Sequence, residues 1–244
     1  MLCIGMLRYA AGQHRDGMGM GFLDDLKRQA AALKAERELQ SGHSERHAML
    51  ADAACKTIFQ YWLQLAEQLN TLQPSSPARY ALDTRLVLRD LKARDFRVDS
   101  RRRGSVREQD HYDHVVMHWT LKGPRGLVAK KDFLNDIQRL ESRLRQAGIT
   151  PLTEAVRDEH NGKLQSMEYA YDADIACSLR AEPDHANGCV RFQCVNVDGL
   201  ETLTATLPAF EVGSARLDEL AKWLLGEPHR FLQGTKNLRR SVPD

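Results

Sequence analysis

The chain has 244 residues, of which 42% are hydrophobic and 28% charged, and its formal net charge is +2. This apolar content is sufficient for a folded core and excludes an intrinsically disordered protein. The small net charge excludes a surface that is strongly basic overall, which is typical of dedicated nucleic-acid and membrane-surface binders.

Cysteine usage and hydropathy indicate a cytoplasmic protein. The five cysteines are odd in number and scattered along a chain too large to need disulfides, which favours reduced thiols. The longest apolar stretch, residues 1–7, is far shorter than the ~20 residues that cross a bilayer. It also lacks the preceding positive charges of a secretory signal. We therefore expect no membrane partner.

Residues 20–73 are predicted to form a helical hairpin, a coiled-coil-like arm. We interpret residues 1–19, which show no periodicity, as a flexible or non-native extension. A first helix is expected from Phe22 to Gln40, with a narrow apolar stripe at helical spacing. Gly42 and Ser44 are expected to end it and to begin a second helix that runs to Leu72. The stripe consists of Leu23, Leu26, Ala30 and Leu33.

Two prolines and two serines between Gln73 and Pro77 mark the end of the helical region. Residues 78–233 are predicted to form an antiparallel α+β domain. Apolar residues alternate cleanly between His114 and Leu121, which predicts a half-buried strand. The turn at residues 123–126 is expected to return the chain as its hairpin partner, from Leu127 to Lys130.

Two further helices are predicted in this domain. The first follows Asp132 as its N-cap and ends at Gly148, and the second runs from Ser214 to Leu225. Between them the apolar period is two, which predicts an antiparallel meander with a type I′ turn at Asn161-Gly162. Its strands are expected at 153–160, 163–171, 174–182, 189–197 and 200–207. Residues 234–244 are predicted to be a basic C-terminal tail.

A basic segment between Arg97 and Arg107 is the first candidate site. Its glycine, Gly104, favours a loop, and closely spaced guanidinium groups can hold phosphates bidentately. No aromatic residues alternate with these arginines to stack on bases, and charge runs of this kind also serve as solvated faces. We treat the segment as a candidate for anion or nucleic-acid binding through Arg97, Arg101, Arg102, Arg103 and Arg107.

The second candidate site is the histidine-rich run from His111 to His118, which suggests a metal-assisted hydrolase. Its histidines are His111, His114 and His118. On a strand, however, His114 and His118 share a face about 13 Å apart at ~3.3 Å per residue, too far to hold one ion together. A polar strand face that merely contains imidazoles is the alternative interpretation.

The glycine-containing segments match neither a dinucleotide fingerprint nor a P-loop, so no cofactor is expected. No convincing nucleophile or metal set stands out. The sequence therefore favours a non-enzymatic interaction or scaffold protein. It would self-associate or dock a protein partner through the stripe of the first helix, with nucleic-acid binding and hydrolysis as the alternatives.

Overall fold

The computed structural model describes residues 22–104 and 111–242, so the predicted extension at residues 1–19 lies outside the described residues. Three α-helices are found in these ranges: α1 (Phe22–Leu72), α2 (Leu134–Ala147) and α3 (Ser214–Leu225). The strands, in chain order, are β1 (Tyr80–Ala81), β2 (Val87–Leu88), β3 (Lys92–Arg103), β4 (His111–Lys122), β5 (Leu127–Lys131), β6 (Leu152–Arg157), β7 (Leu164–Tyr171), β8 (Ile175–Asp184), β9 (Cys189–Val195), β10 (Thr202–Pro208) and β11 (Lys236–Ser241).

The α+β fold class is confirmed, but the helical hairpin is not. One continuous helix of 51 residues, α1, takes the place of the two predicted helices. Gly42 lies inside α1 and does not adopt the left-handed conformation of a helix C-cap. A single glycine costs a helix only about 1 kcal/mol. Long helix-forming segments on both sides therefore propagate through it.

The chain divides into two units, Met1–His43 and Ser44–Asp244. The described part of the first unit is the beginning of α1. The second unit contains the rest of α1 and all the other described elements. No helix in the described ranges is long and apolar enough to cross a membrane.

A six-stranded antiparallel sheet with the order β11-β10-β9-β8-β4-β3 dominates the second unit. The predicted meander is divided between this sheet and a three-stranded sheet with the order β5-β7-β6. Within the predicted basic tail, residues Lys236–Ser241 form strand β11, which pairs with β10. The edge of β10 offers unpaired backbone groups that β11 satisfies.

The hairpin expected at residues 123–126 does not form, because β5 pairs with β7 and β4 pairs with β3 and β8. Hydrogen bonds join the loop between β4 and β5 to the loop between β7 and β8. The backbone N–H of Gly123 donates to Asp174, that of Gly126 donates to Asp172, and that of Ala173 donates to the Pro124 carbonyl. These bonds direct the chain from the six-stranded sheet to the three-stranded sheet.

The three-stranded sheet contains the hairpin predicted at Asn161-Gly162, since β6 and β7 pair there. The turn is wider than the predicted type I′ turn, because Gly162 has a positive φ of 69° and Asn161 does not. The Asp158 carboxylate accepts backbone N–H groups from His160 and Asn161. A side-chain acceptor thus shapes the loop.

Helices α2 and α3 match their predicted positions closely. α3 has the predicted bounds, and α2 ends at Gly148, whose φ of 74° is that of a left-handed C-cap. The predicted N-cap of α2 at Asp132 is wrong, because the cap position is Phe133 and no side chain bonds the helix start there.

One face of the six-stranded sheet carries the core. The predicted alternation of β4 is confirmed by buried Val115, Met117, Trp119 and Leu121. From α1, Ile58, Trp62 and Leu69 belong to the same buried cluster, as do Leu217 and Leu220 of α3. The opposite face of the sheet is largely polar and accessible to solvent.

Candidate metal centre

The predicted anion-binding arginines that the structure describes lie on one strand. Arg97, Arg101, Arg102 and Arg103 lie on strand β3 instead of the predicted loop, and Arg107 lies outside the described residues. Arg102 donates to the Tyr112 hydroxyl at 3.0 Å and lies over its ring. Arg103 pairs with Asp113 at 3.0 Å. Because successive side chains of a strand point to opposite faces, Arg102 lies on the face opposite to Arg101 and Arg103, and anion binding by this segment stays a prediction.

The three predicted metal-binding histidines also separate. His118 is exposed and stands opposite Arg97 of β3. The Nδ1 atom of His114 lies 3.1 Å from a carboxylate oxygen of its neighbour Asp113. The hydrogen bond from His114 and the nearby charge of Arg103 lower the pKa of Asp113. Neither imidazole joins the third, His111, which has partners from two other elements.

His111 meets Asp52 of α1 and His185 of the β8–β9 turn. The Asp52 Oδ1 atom lies 3.6 Å from His111 Nδ1 and 3.6 Å from His185 Nε2. All three atoms lie within 4.8 Å of one another. The two imidazole rings are tilted by 51° with their centroids 5.2 Å apart.

The end of one strand ladder creates the space for this cluster. Pairing between β4 and β8 ends at Val115 and Ala181, so the backbone of β4 beyond that point has no partner from β8. The Asp52 carboxylate replaces one of the missing strand partners, because its Oδ1 atom accepts a hydrogen bond from the Tyr112 backbone N–H at 2.7 Å. This bond fixes the carboxylate beside His111.

The β8–β9 turn is held against α1 from the other side. His47, on α1, contacts the Ala186 carbonyl through Nδ1 at 3.0 Å. Gly188 lets the turn approach the helix, since a Cβ there would lie 2.9 Å from the His47 ring and its φ is 62°. These contacts place His185 over Asp52.

Two nitrogen atoms of the cluster have no hydrogen-bond partner. His111 Nδ1 and His185 Nε2 are both inaccessible to solvent and unpaired. A distance of 3.6 Å to Asp52 exceeds the limit for a hydrogen bond from a ring nitrogen. Both atoms therefore lack the partner that buried polar groups normally have.

No family model, curated protein or solved structure matches this chain. Function therefore has to be inferred from the chemistry of the described residues.

Two of the three ligand-atom distances in the cluster are close to those around a transition-metal ion. Zinc lies 2.0–2.1 Å from its nitrogen and oxygen ligands, so tetrahedral ligand atoms are about 3.3 Å apart. The two observed distances of 3.6 Å differ from this by roughly 0.3 Å.

Cys55 lies one helical turn after Asp52 but does not belong to the ligand set. Burial raises the pKa of its thiol to about 12, and the negative charge of Asp52 adds to the effect. Cys55 is fully buried in the core, and the group of convergent ligand atoms does not include it.

Sequence reasoning found His111 but missed its two partners. Asp52 is an acidic residue between buried Ala51 and Ala54, on a helix face that is otherwise apolar. An acidic residue at such a position is the feature of the sequence that could have marked Asp52 as a candidate ligand. His185 lies in the predicted turn between two strands, where nothing distinguishes a ligand from a solvated side chain.

The predicted self-association stripe is exposed to solvent. The side chains of Leu23, Leu26 and Leu33 are 64%, 44% and 55% accessible. Ala30 is exposed as well. Self-association through this stripe stays a prediction.

Proposed function

We propose that this protein binds a divalent transition metal, first of all Zn²⁺, through Asp52 Oδ1, His111 Nδ1 and His185 Nε2. The observation that carries this proposal is the convergence of two buried, unpaired imidazole nitrogens on one carboxylate oxygen. An unsatisfied buried polar atom costs about 1–3 kcal/mol. An ion between the three atoms would offset that cost for both rings at once.

The ligand set points to the chemistry that the ion would supply. Closed structural zinc sites have four protein ligands, whereas catalytic sites have three and keep one position for water. Here three protein ligands converge, the number found in catalytic zinc sites. Metal-bound water is a strong nucleophile near neutral pH, so metal-assisted hydrolysis is the reaction class we propose.

The surroundings favour a fixed ligand geometry. The Tyr112 N–H donates to the Asp52 carboxylate, and donors of this kind orient ligating carboxylates in metal sites. His47 and Gly188 hold the turn that carries His185. Three separate elements thus present their ligands with little freedom to move apart.

Zinc titration of the untagged full chain by calorimetry tests the proposal. We expect one ion per chain, and His111→Ala and His185→Ala should each weaken binding at least ~100-fold, since the loss of a residue that only hydrogen-bonds a ligand already costs about 10–100-fold. Asp52→Asn should have a similar effect, because it removes the anionic ligand and keeps the shape. Affinity should also fall in acidic buffer, where protons compete for the imidazoles.

His114→Ala and His118→Ala are the matched controls, because they remove the same side chain from the same strand outside the cluster. Their zinc affinity should equal that of the wild type. Circular dichroism checks that every variant is folded. Failure of the wild-type chain to bind zinc, or equal losses in the cluster and control variants, would show that the proposed ligands are wrong.

A further inference from the structure

A polar cavity lies on the open face of the six-stranded sheet. Its lining contains none of the three proposed metal ligands. It has a volume of about 460 Å³ and is lined by strands β8, β9, β10 and β11. Thr206 of β10 stands opposite Arg191 of β9, and Thr204 stands opposite Arg239 of β11. Opposed residues of neighbouring strands share a face. Two guanidinium groups and two hydroxyl groups therefore line one depression.

A β-bulge in β11 completes the cavity wall. Between the pairs Thr204–Arg239 and Thr206–Lys236, one residue of β10 faces two residues of β11. Asn237 is one of the two and has a positive φ of 52°. Bulges bend a strand and redirect a side chain. Here the Asn237 amide becomes part of the cavity lining.

The two arginines of the cavity are available for a ligand. Arg239 makes no hydrogen bond or ion pair with any residue in the described ranges, and Arg191 lies 3.9 Å from Glu182. Glu182 is already bound by Arg180 at 2.6 Å. By contrast, Arg240, next to Arg239, pairs with Glu201 at 2.5 Å. Both guanidinium groups would attract an anion placed between them.

Asp184 gives the cavity one acceptor. Its carboxylate accepts the backbone N–H and the side-chain amide of Asn187 at 3.1 and 2.8 Å. The amide hydrogen bond from Asn187, together with the backbone bonds and the charge of Arg191, lowers the pKa of Asp184. The carboxylate therefore stays ionised at neutral pH and can accept a hydrogen bond from a hydroxyl group of a ligand.

We infer that this cavity binds a phosphate monoester of a small polyhydroxy molecule. Planar guanidinium forks match phosphate oxygens bidentately, and the threonine hydroxyls and the asparagine amide supply further donors. Asp184 would accept a hydrogen bond from a hydroxyl group of the same molecule. The volume lies within the range of small-molecule sites.

Calorimetric titration of the full chain with ribose 5-phosphate, ribose and inorganic phosphate tests this inference. Ribose 5-phosphate should bind, inorganic phosphate should bind more weakly, and ribose should not bind. Arg191→Ala and Arg239→Ala should each weaken binding of ribose 5-phosphate roughly 10-fold or more, the effect of losing a charge-assisted hydrogen bond. Arg125→Ala, which removes an exposed arginine from the turn after β4, should leave the affinity unchanged.

Four results would overturn the inference. The first is no binding of ribose 5-phosphate at millimolar concentration. The second is binding of inorganic phosphate as tight as that of the ester, which would exclude hydroxyl recognition. Equal weakening by Arg125→Ala would indicate a non-specific charge effect. Tighter binding of a single-stranded oligonucleotide, lost in Arg239→Ala and steeply dependent on salt, would identify nucleic acid as the ligand instead.

Discussion

Asn196 shows at the scale of one residue how a buried polar group specifies this fold. It is fully buried and has a φ of 57°, in the left-handed region that asparagine tolerates. Its amide donates to the carbonyls of Gln146 and Ala176 at 2.7 and 2.8 Å and accepts from the Gln146 side chain at 3.1 Å. One side chain thereby joins the end of α2 to strand β8.

We expect Asn196→Ala to lower the free energy of unfolding by about 2–4 kcal/mol, because it leaves buried carbonyls unpaired and places alanine at a positive φ. Urea denaturation measures the change. Asn237→Ala is the control, since Asn237 has a φ of 52° but is exposed. That variant should lose about 1 kcal/mol or less. Equal losses would mean that backbone conformation alone accounts for the effect at Asn196.

The candidate metal centre illustrates what residue-level sequence reasoning can find. A histidine-rich strand is visible in the sequence, and His111 is among the candidates that it offers. Asp52 and His185 could not be joined to it, because they lie on a helix and a turn that meet His111 only after folding. Spacing along the chain predicts sites within one element and does not predict sites between elements.

At the scale of elements, local pattern predicted α3 and the end of α2 well. It failed where an element boundary depended on one weak signal. The Ser41-Gly42-His43-Ser44 segment has the composition of a turn, yet α1 continues through it. Composition of this kind permits a turn without requiring one.

Gly42→Ala tests whether α1 is continuous in solution. In a continuous helix, alanine should raise helicity and stabilise the helix by about 0.5–1 kcal/mol. Circular dichroism and thermal unfolding of the full chain measure both effects. A loss of helicity would indicate a left-handed cap at Gly42 and a hairpin.

Gly126→Ala is the matched control for that experiment. A Cβ meets no atom within 4 Å at either glycine, but Gly126 has a φ of 65°. The control should therefore destabilise the protein by roughly 1 kcal/mol through backbone strain alone. Opposite signs for the two substitutions would confirm the helical conformation of Gly42.

At the scale of the whole molecule, the open question is association. If two chains packed along the exposed apolar stripe of α1, its side chains would be buried, which favours self-association. We expect the full chain to form an oligomer in sedimentation experiments, and Leu26→Glu with Leu33→Glu should shift it toward the monomer.

Leu152→Glu is the control for this prediction, because Leu152 is 80% exposed on β6 and does not belong to the stripe. Its oligomeric state should match that of the wild type. A monomeric wild-type chain, or an equal shift in the control, would contradict self-association through α1.

The sequence by itself determined the elements whose apolar period is regular: the inward face of β4, the β6–β7 hairpin and the bounds of α3. These depend on neighbours a few residues apart, which the sequence records directly. Only the tertiary structure decided that β5 leaves β4 to pair with β7, that the basic tail becomes β11, and that Asp52, His111 and His185 meet. Each of these depends on contacts between segments distant in the chain, and local periodicity carries no information about which distant segments will pack together.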